Sequence, residues 1–108
     1  MAHDRIDRVE GLLRELAATF LERETDHTSL ITVTRCTVSR DLTRSTVFFT
    51  VLPDSMEEQA SAFVTRRMGA FREYVKSKTS LRRLPYFEAE FDKGERIRQK
   101  IDSLDTDT

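Results

Sequence analysis

At 108 residues, 38% hydrophobic and 34% charged, the chain can build one modest core and has the composition of a globular domain, not of a disordered one. No apolar run approaches the ~20 residues that cross a bilayer, and a single cysteine, Cys36, excludes an internal disulfide and a cysteine-rich zinc site. The net charge of −1 hides a segregation. Seven of the 18 basic residues but one of the 19 acidic residues fall in residues 61–83, so that segment carries about +6 and the remainder about −7.

In chain order, MAHDRIDRVEG at the start has no apolar h-region, so a secretory leader is not expected. Residues 4–23 have the helical period, with Ile6, Val9, Leu13, Leu16 and Phe20 in one stripe that Leu12 and Ala17 broaden. Asp4, Asp7 and Glu10 stand early in it, where the helix dipole favours negative charge. The polar run ERETDHTS, residues 22–29, leads out of the helix.

Residues 30–39, LITVTRCTVS, are rich in β-branched side chains and predict a strand. Its alternation slips: Ile31 and Val33 fall in one phase, Cys36 and Val38 in the other, which a bulge or a two-sided strand would explain. A turn at residues 40–44 and a second strand at 45–52, with Val47, Phe49 and Val51 in phase, make an antiparallel hairpin. Phe48 points to the opposite face, as a stacking surface or as part of a core.

Pro53-Asp54 ends the strand. Ser55 and Glu58 have the spacing of a capping box, which starts the next helix near Met56. Its stripe runs through Ala60, Phe63, Val64, Met68, Phe71 and Val75, and Gly69 is where a helix this long is expected to kink or divide. Pro85 keeps residues 81–85 out of the helix. Residues 86–92 alternate cleanly, with Phe87, Ala89 and Phe91 against Tyr86, Glu88 and Glu90, and predict a half-buried third strand. Asp92 to Glu95 opens a short C-terminal helix containing Ile97, Ile101 and Leu104. The expected unit is residues 4–104, with 105–108 a frayed tail. Two hairpin strands and a helical crossover to a third give an α+β fold with a small three-stranded sheet and the helices on one face.

Chemistry-bearing motifs are missing. The sequence has no phosphate-binding glycine loop, no dinucleotide fingerprint, no His-Glu-x-x-His and no nucleophile elbow. His3 and His27 lack metal-ligand spacing, and Cys36 in a strand suits ordinary packing. Glu88 and Glu90 are better explained by solubility than as a catalytic pair. No enzyme, cofactor, metal or small-molecule substrate is expected. What remains is charge: Arg66, Arg67, Arg72, Lys76, Lys78, Arg82 and Arg83 on and after an amphipathic helix, a field that suits a polyanion such as a nucleic-acid backbone.

Several stretches resemble one family in order. ITVTRCTVS over 31–39 followed by Arg40-Asp41-Leu42 is similar to its first strand and its V-S-x-D-L turn. Ser45-x-Val47-Phe48-Phe49-Thr50-Val51-Leu52 is similar to its second strand. Phe71-Arg72-x-x-Val75 leading to Leu81-Arg82-Arg83-x-Pro85 matches its R-x-x-(L/V)…L-R-x-x-P segment. Arg5-Ile6-x-Arg8-Val9 matches its opening, and Phe87 to Asp92 with Gly94 its close. On these motifs, spread over residues 5–101, the chain is identified as a member of the ribosome-binding factor A family.

The resemblance implies a type II KH-like fold, α-β-β-α-α-β with a mixed three-stranded sheet, and a kinked helix marked Ala-x-Gly in place of the GxxG loop of other KH domains. Here that tripeptide is Arg67-Met68-Gly69, with the glycine kept and the alanine replaced. It also implies a non-catalytic, cytoplasmic assembly factor that binds the immature small (30S) ribosomal subunit and its RNA and assists late rRNA maturation, often in cold adaptation. RNA contact is then expected from Arg66, Arg67, Gly69, Arg72, Lys76, Lys78, Arg82 and Arg83, with a second patch at Arg35, Arg40 and Arg44. The acidic DTDT ending stands where the family often has a longer basic tail, so tail contacts are not expected. A monomer, without a membrane partner, is the expected form. The competing reading is a protein-interaction module that uses its acidic strand face or a sheet edge.

Overall fold

The computed structural model describes residues 2–106, with side chains from Arg5 to Leu104. Helix α1 (Ala2–Glu24) is followed by strand β1 (Leu30–Val38), strand β2 (Arg44–Leu52), a 3₁₀ turn at Asp54–Met56, helix α2 (Glu57–Lys78), strand β3 (Tyr86–Phe91) and helix α3 (Lys93–Thr106). The sheet order is β1-β2-β3. β1 and β2 form the expected antiparallel hairpin, and β3 runs parallel to β2 after the α2 crossover.

The slipped alternation of β1 resolves as a bulge. The register with β2 shifts between Val33 and Arg35, leaving Thr34 as the extra residue. Val33 and Cys36 are therefore both buried despite their opposite phases. Cys36 is ordinary packing, as expected, and desolvation pushes its thiol up to about 12. Together with Val47, Phe49, Val51 and Phe87 these residues make the inner face of the sheet, on which α1 and α2 lie. Leu13, Ala17, Phe20 and Leu21 of α1 and Ala60, Val64, Met68, Phe71 and Val75 of α2 complete the core.

Phe71 is the keystone. Its ring centroid lies 5.5 Å from that of Phe20 and 4.8 Å, edge on, from that of Phe87, joining α1, α2 and β3. Truncation of a buried aromatic of this kind costs about 3–5 kcal/mol.

Three expectations need correction. The capping box does not form. Ser55 lies inside the 3₁₀ turn closed by Met56 N–H on the Pro53 carbonyl, and Met56 stands at the N-cap without a side-chain cap bond. The division at Gly69 is not made either: residues 57–78 are helical throughout, and Gly69 sits on an exposed surface where an added Cβ would meet nothing within 4 Å. A single glycine costs only ~1 kcal/mol, which the buried stripe on either side of it offsets.

The third correction concerns the helices, which are not all on one face. α3 approaches the opposite side of the sheet, where the Gln99 amide donates to Thr50 Oγ1 at 3.3 Å and Arg96 and Lys100 pair with Asp54. That face is threonine-rich, so no hydrophobic period announces that a helix covers it. α3 spans 14 residues, and its Ile97, Ile101 and Leu104 remain exposed. The backbone of α3 extends to Thr106, and residues 107–108 of the expected frayed tail lie outside the described residues.

Candidate nucleic-acid interface

The structure sorts the basic residues by what each already touches. Arg35 is committed twice. Its guanidinium lies 3.9 Å from the Phe48 ring centroid, and its Nε donates to Asp92 Oδ2 at 3.4 Å. Phe48 is thus half-buried under an arginine and offers no open stacking surface. Arg44 donates to Glu88 across the β2–β3 pair. Of the hairpin patch, Arg40 alone has no carboxylate partner among the described residues.

On α2, Arg67 leans toward α1, with Nη1 3.8 Å from Glu24 Oε1 and its guanidinium over the Phe63 ring. Lys78 lies over the Tyr74 ring at 5.7 Å. Arg66, Arg72, Lys76, Arg82 and Arg83 are exposed and have no carboxylate partner among the described residues. Arg72 shares a flank with Gly69 and faces β3, and Lys76 follows Arg72 one helical turn on. Arg66, near the middle of the helix, lies on another flank, beside Asp26 and Gln59. Arg83 closes a small cleft with Arg5, Val9 and Leu42, bringing the α2–β3 connection against the start of α1. The eight expected positions on and after α2 therefore form a band along the helix and its exit, not one compact cluster.

Two features escape a reading by composition. One is an open groove between α2 and β3, where Thr65, Met68, Gly69 and Arg72 face Phe87 and Ala89. Its signal was topological: a crossover from β2 to a parallel β3 leaves β3 at an edge. The other is Asp92, buried at the β3–α3 junction. It accepts from Thr34 Oγ1 at 2.7 Å, from Arg35 and, as the cap of α3, from Glu95 N–H at 3.0 Å. Burial alone would raise its pKa, but the Thr34 hydroxyl, the Glu95 amide and Arg35 outweigh it and hold the carboxyl below its ordinary range.

The Asp41 turn is built on the same logic. Asp41 Oδ1 accepts from Thr43 Oγ1 and Ser39 Oγ, both at 2.7 Å, and from Thr43 N–H at 3.2 Å. These bonds hold its pKa at about 2. The asparagine-like bend they create lets Leu42 take φ 61°.

No group of three or more His, Cys, Asp or Glu side chains is placed to hold a metal ion among the described residues. No described helix is long and apolar enough to cross a membrane.

Two helices over a mixed three-stranded sheet, with basic side chains along the crossover helix, define a small KH-like α+β domain. The family model for ribosome-binding factor A matches residues 5–105, and the chain belongs to that family. Ribosome-binding factor A of Alkalilimnicola ehrlichii is 34% identical over 100 residues, covering 86% of this chain and 77% of that protein. That of Dichelobacter nodosus is 30% identical over 118 aligned positions, covering 100% of this chain and 97% of the other. Among solved structures, the crystal structure of ribosome-binding factor A from Thermus thermophilus superposes with a TM-score of 0.72 at 22% identity, covering 80% of this chain and 93% of that one. A solution structure of a Thermotoga maritima protein described as a putative ribosome binding factor A gives 0.71 at 20% identity, covering 83% and 89%. The fold is the type II KH-like one. One continuous α2 stands where two middle helices were expected on either side of Gly69, and α3 follows β3.

Proposed function

We propose that this protein is a non-catalytic assembly factor that binds the immature small ribosomal subunit and its RNA in the cytoplasm and assists late rRNA maturation, with a role in growth at low temperature. Family membership supports a ribosome-associated role. The observation that carries the RNA reading is the band of Arg66, Arg72, Lys76, Arg82 and Arg83, exposed and without a carboxylate partner among the described residues, on a chain whose net charge is −1. Arginines and lysines that have not been neutralised within the fold are the ones able to displace counterions from phosphates. Arg67, Lys78, Arg35 and Arg44 are assigned lesser parts, because each already touches a carboxylate or a ring, while Arg40, exposed and without a carboxylate partner among the described residues, adds a separate charge at the hairpin turn. Gly69, with open space above its Cα, is where a backbone or a base could approach the helix most closely. The protein works as a monomer.

Co-sedimentation with purified small and large subunits over a salt series tests this reading. Association with small subunits alone, weakening steeply with salt, is the expected outcome. Equal association with both subunits would reduce the band to general polyanion attraction, and no association at low salt would refute the proposal.

A further inference from the structure

β3 is an edge strand whose outer side is unpaired among the described residues. The ladder to β2 starts with Tyr86 N–H on the Thr43 carbonyl at 2.8 Å and ends with Asp92 N–H on the Phe49 carbonyl at 2.8 Å. Between these the two-residue period turns the backbone groups of Glu88 and Glu90 toward β2 as well. The N–H and C=O groups of Phe87, Ala89 and Phe91 therefore point away from the sheet, along the rim of the groove that Thr65, Met68, Gly69 and Arg72 border. An exposed edge of this kind is a template for another strand.

We propose that this edge takes up an extended peptide as a fourth strand, and that the peptide alternates basic and small apolar residues. The pattern follows from the two sides of β3. On the inner side an added strand meets Met68, Ala89 and the bare surface of Gly69, which accept small apolar side chains. On the outer side it runs beside Glu88, which Arg44 already engages, and the exposed Glu90, whose carboxylate favours lysine or arginine opposite it.

The same carboxylates argue against the alternatives. Two copies of this chain pairing β3 to β3 in antiparallel fashion would set Glu88 and Glu90 of one against those of the other, a like-charge juxtaposition. A nucleic-acid strand along this edge would bring phosphates beside them. The groove shares Gly69 and Arg72 with the phosphate-facing set, whereas the outward ladder groups of Phe87, Ala89 and Phe91 belong to the peptide edge alone. The proposal needs a basic protein segment as partner and stands whether or not that band binds RNA.

The test is a titration of the isotope-labelled protein with an acetylated and amidated heptapeptide alternating lysine and valine, followed by amide NMR. At a peptide concentration ten times Kd, exchange of the Phe87, Ala89 and Phe91 amides is expected to slow by about tenfold. A peptide N-methylated at alternate residues to block the ladder should not protect them. Glu90→Lys, an exposed change that leaves the core alone, should weaken binding by about two- to fivefold. Three outcomes would overturn the proposal: equal affinity for a glutamate–valine heptapeptide, equal binding of the N-methylated peptide, or protection of those amides by a hexauridine oligonucleotide but not by the lysine peptide.

Discussion

The hairpin and the crossover helix both carry arginines, and the fold treats them differently. On the hairpin, Arg35 is held between Phe48 and Asp92, and Arg44 reaches Glu88. Along α2 and its exit, Arg66, Arg72, Lys76, Arg82 and Arg83 face solvent, with no carboxylate partner among the described residues. The basic charges in the sequence look equivalent, but pairing within the fold decides which of them remain for a partner. Arg35 and Arg44 act mainly in holding β1, β2 and β3 together, and the α2 band supplies most of the available field.

The largest effect expected from this difference is on polyanion binding. Reversing Arg66, Arg72 and Lys76 to Glu should weaken retention on immobilised heparin by more than about tenfold in apparent affinity. The urea unfolding midpoint should barely move, since all three are exposed. Unfolding by the triple variant would instead mean that these side chains support the fold. Next comes Asp92→Ala, which removes the cap of α3 and the partner of Thr34 and Arg35 together. A loss of about 1–2 kcal/mol in urea unfolding is expected, with heparin retention unchanged. Retention that rose would show that the freed Arg35, and with it the hairpin, also faces the polyanion.

Lys76→Ala alone should reduce the slope of log affinity against log salt for an RNA fragment by about 1, whereas Arg44→Ala should leave that slope unchanged. A smaller, local effect belongs to the Asp41 turn. Its carboxyl should titrate with a midpoint of about 2 by carbon-detected NMR, because the Thr43 and Ser39 hydroxyls and the Thr43 amide favour the ionised form. A pKa lowered on folding contributes stability above the unfolded value of about 3.9 and loses it as pH falls toward 2. A midpoint near 4 would mean that those bonds do not persist in solution. The smallest effect concerns Ser45, whose buried Oγ has no hydrogen-bond partner among the described residues. Ser45→Ala should be neutral or stabilising by up to about 1 kcal/mol in thermal unfolding.

Much of the inner layer was legible in the sequence because hydrophobic period encodes it. The stripes of α1 and α2, the hairpin and the alternation of β3 all came from spacing, and the slip between Val33 and Cys36 flagged the bulge. The outer helix was legible as an element, but its place on the opposite face of the sheet was not. α3 meets the sheet through Gln99, Arg96 and Lys100, polar contacts that carry no period, while its apolar residues Ile97, Ile101 and Leu104 face solvent. The capping signal at Ser55 lost to a 3₁₀ turn. Gly69 suggested a break that the packing of Met68 and Phe71 on either side of it does not need. For the candidate site, the sequence located the charge along residues 61–83 but not its pairing. Partners such as Glu24 for Arg67 and Glu88 for Arg44 lie dozens of residues away and meet only in the fold.

The most direct test sets two variants side by side in one small-subunit binding assay at fixed salt: Arg66→Glu/Arg72→Glu/Lys76→Glu on α2, and Arg35→Glu/Arg44→Glu on the hairpin. Loss of binding for the first, with binding kept and stability lowered for the second, is the result predicted here. Binding that survives the α2 reversals and vanishes with the hairpin pair would contradict it.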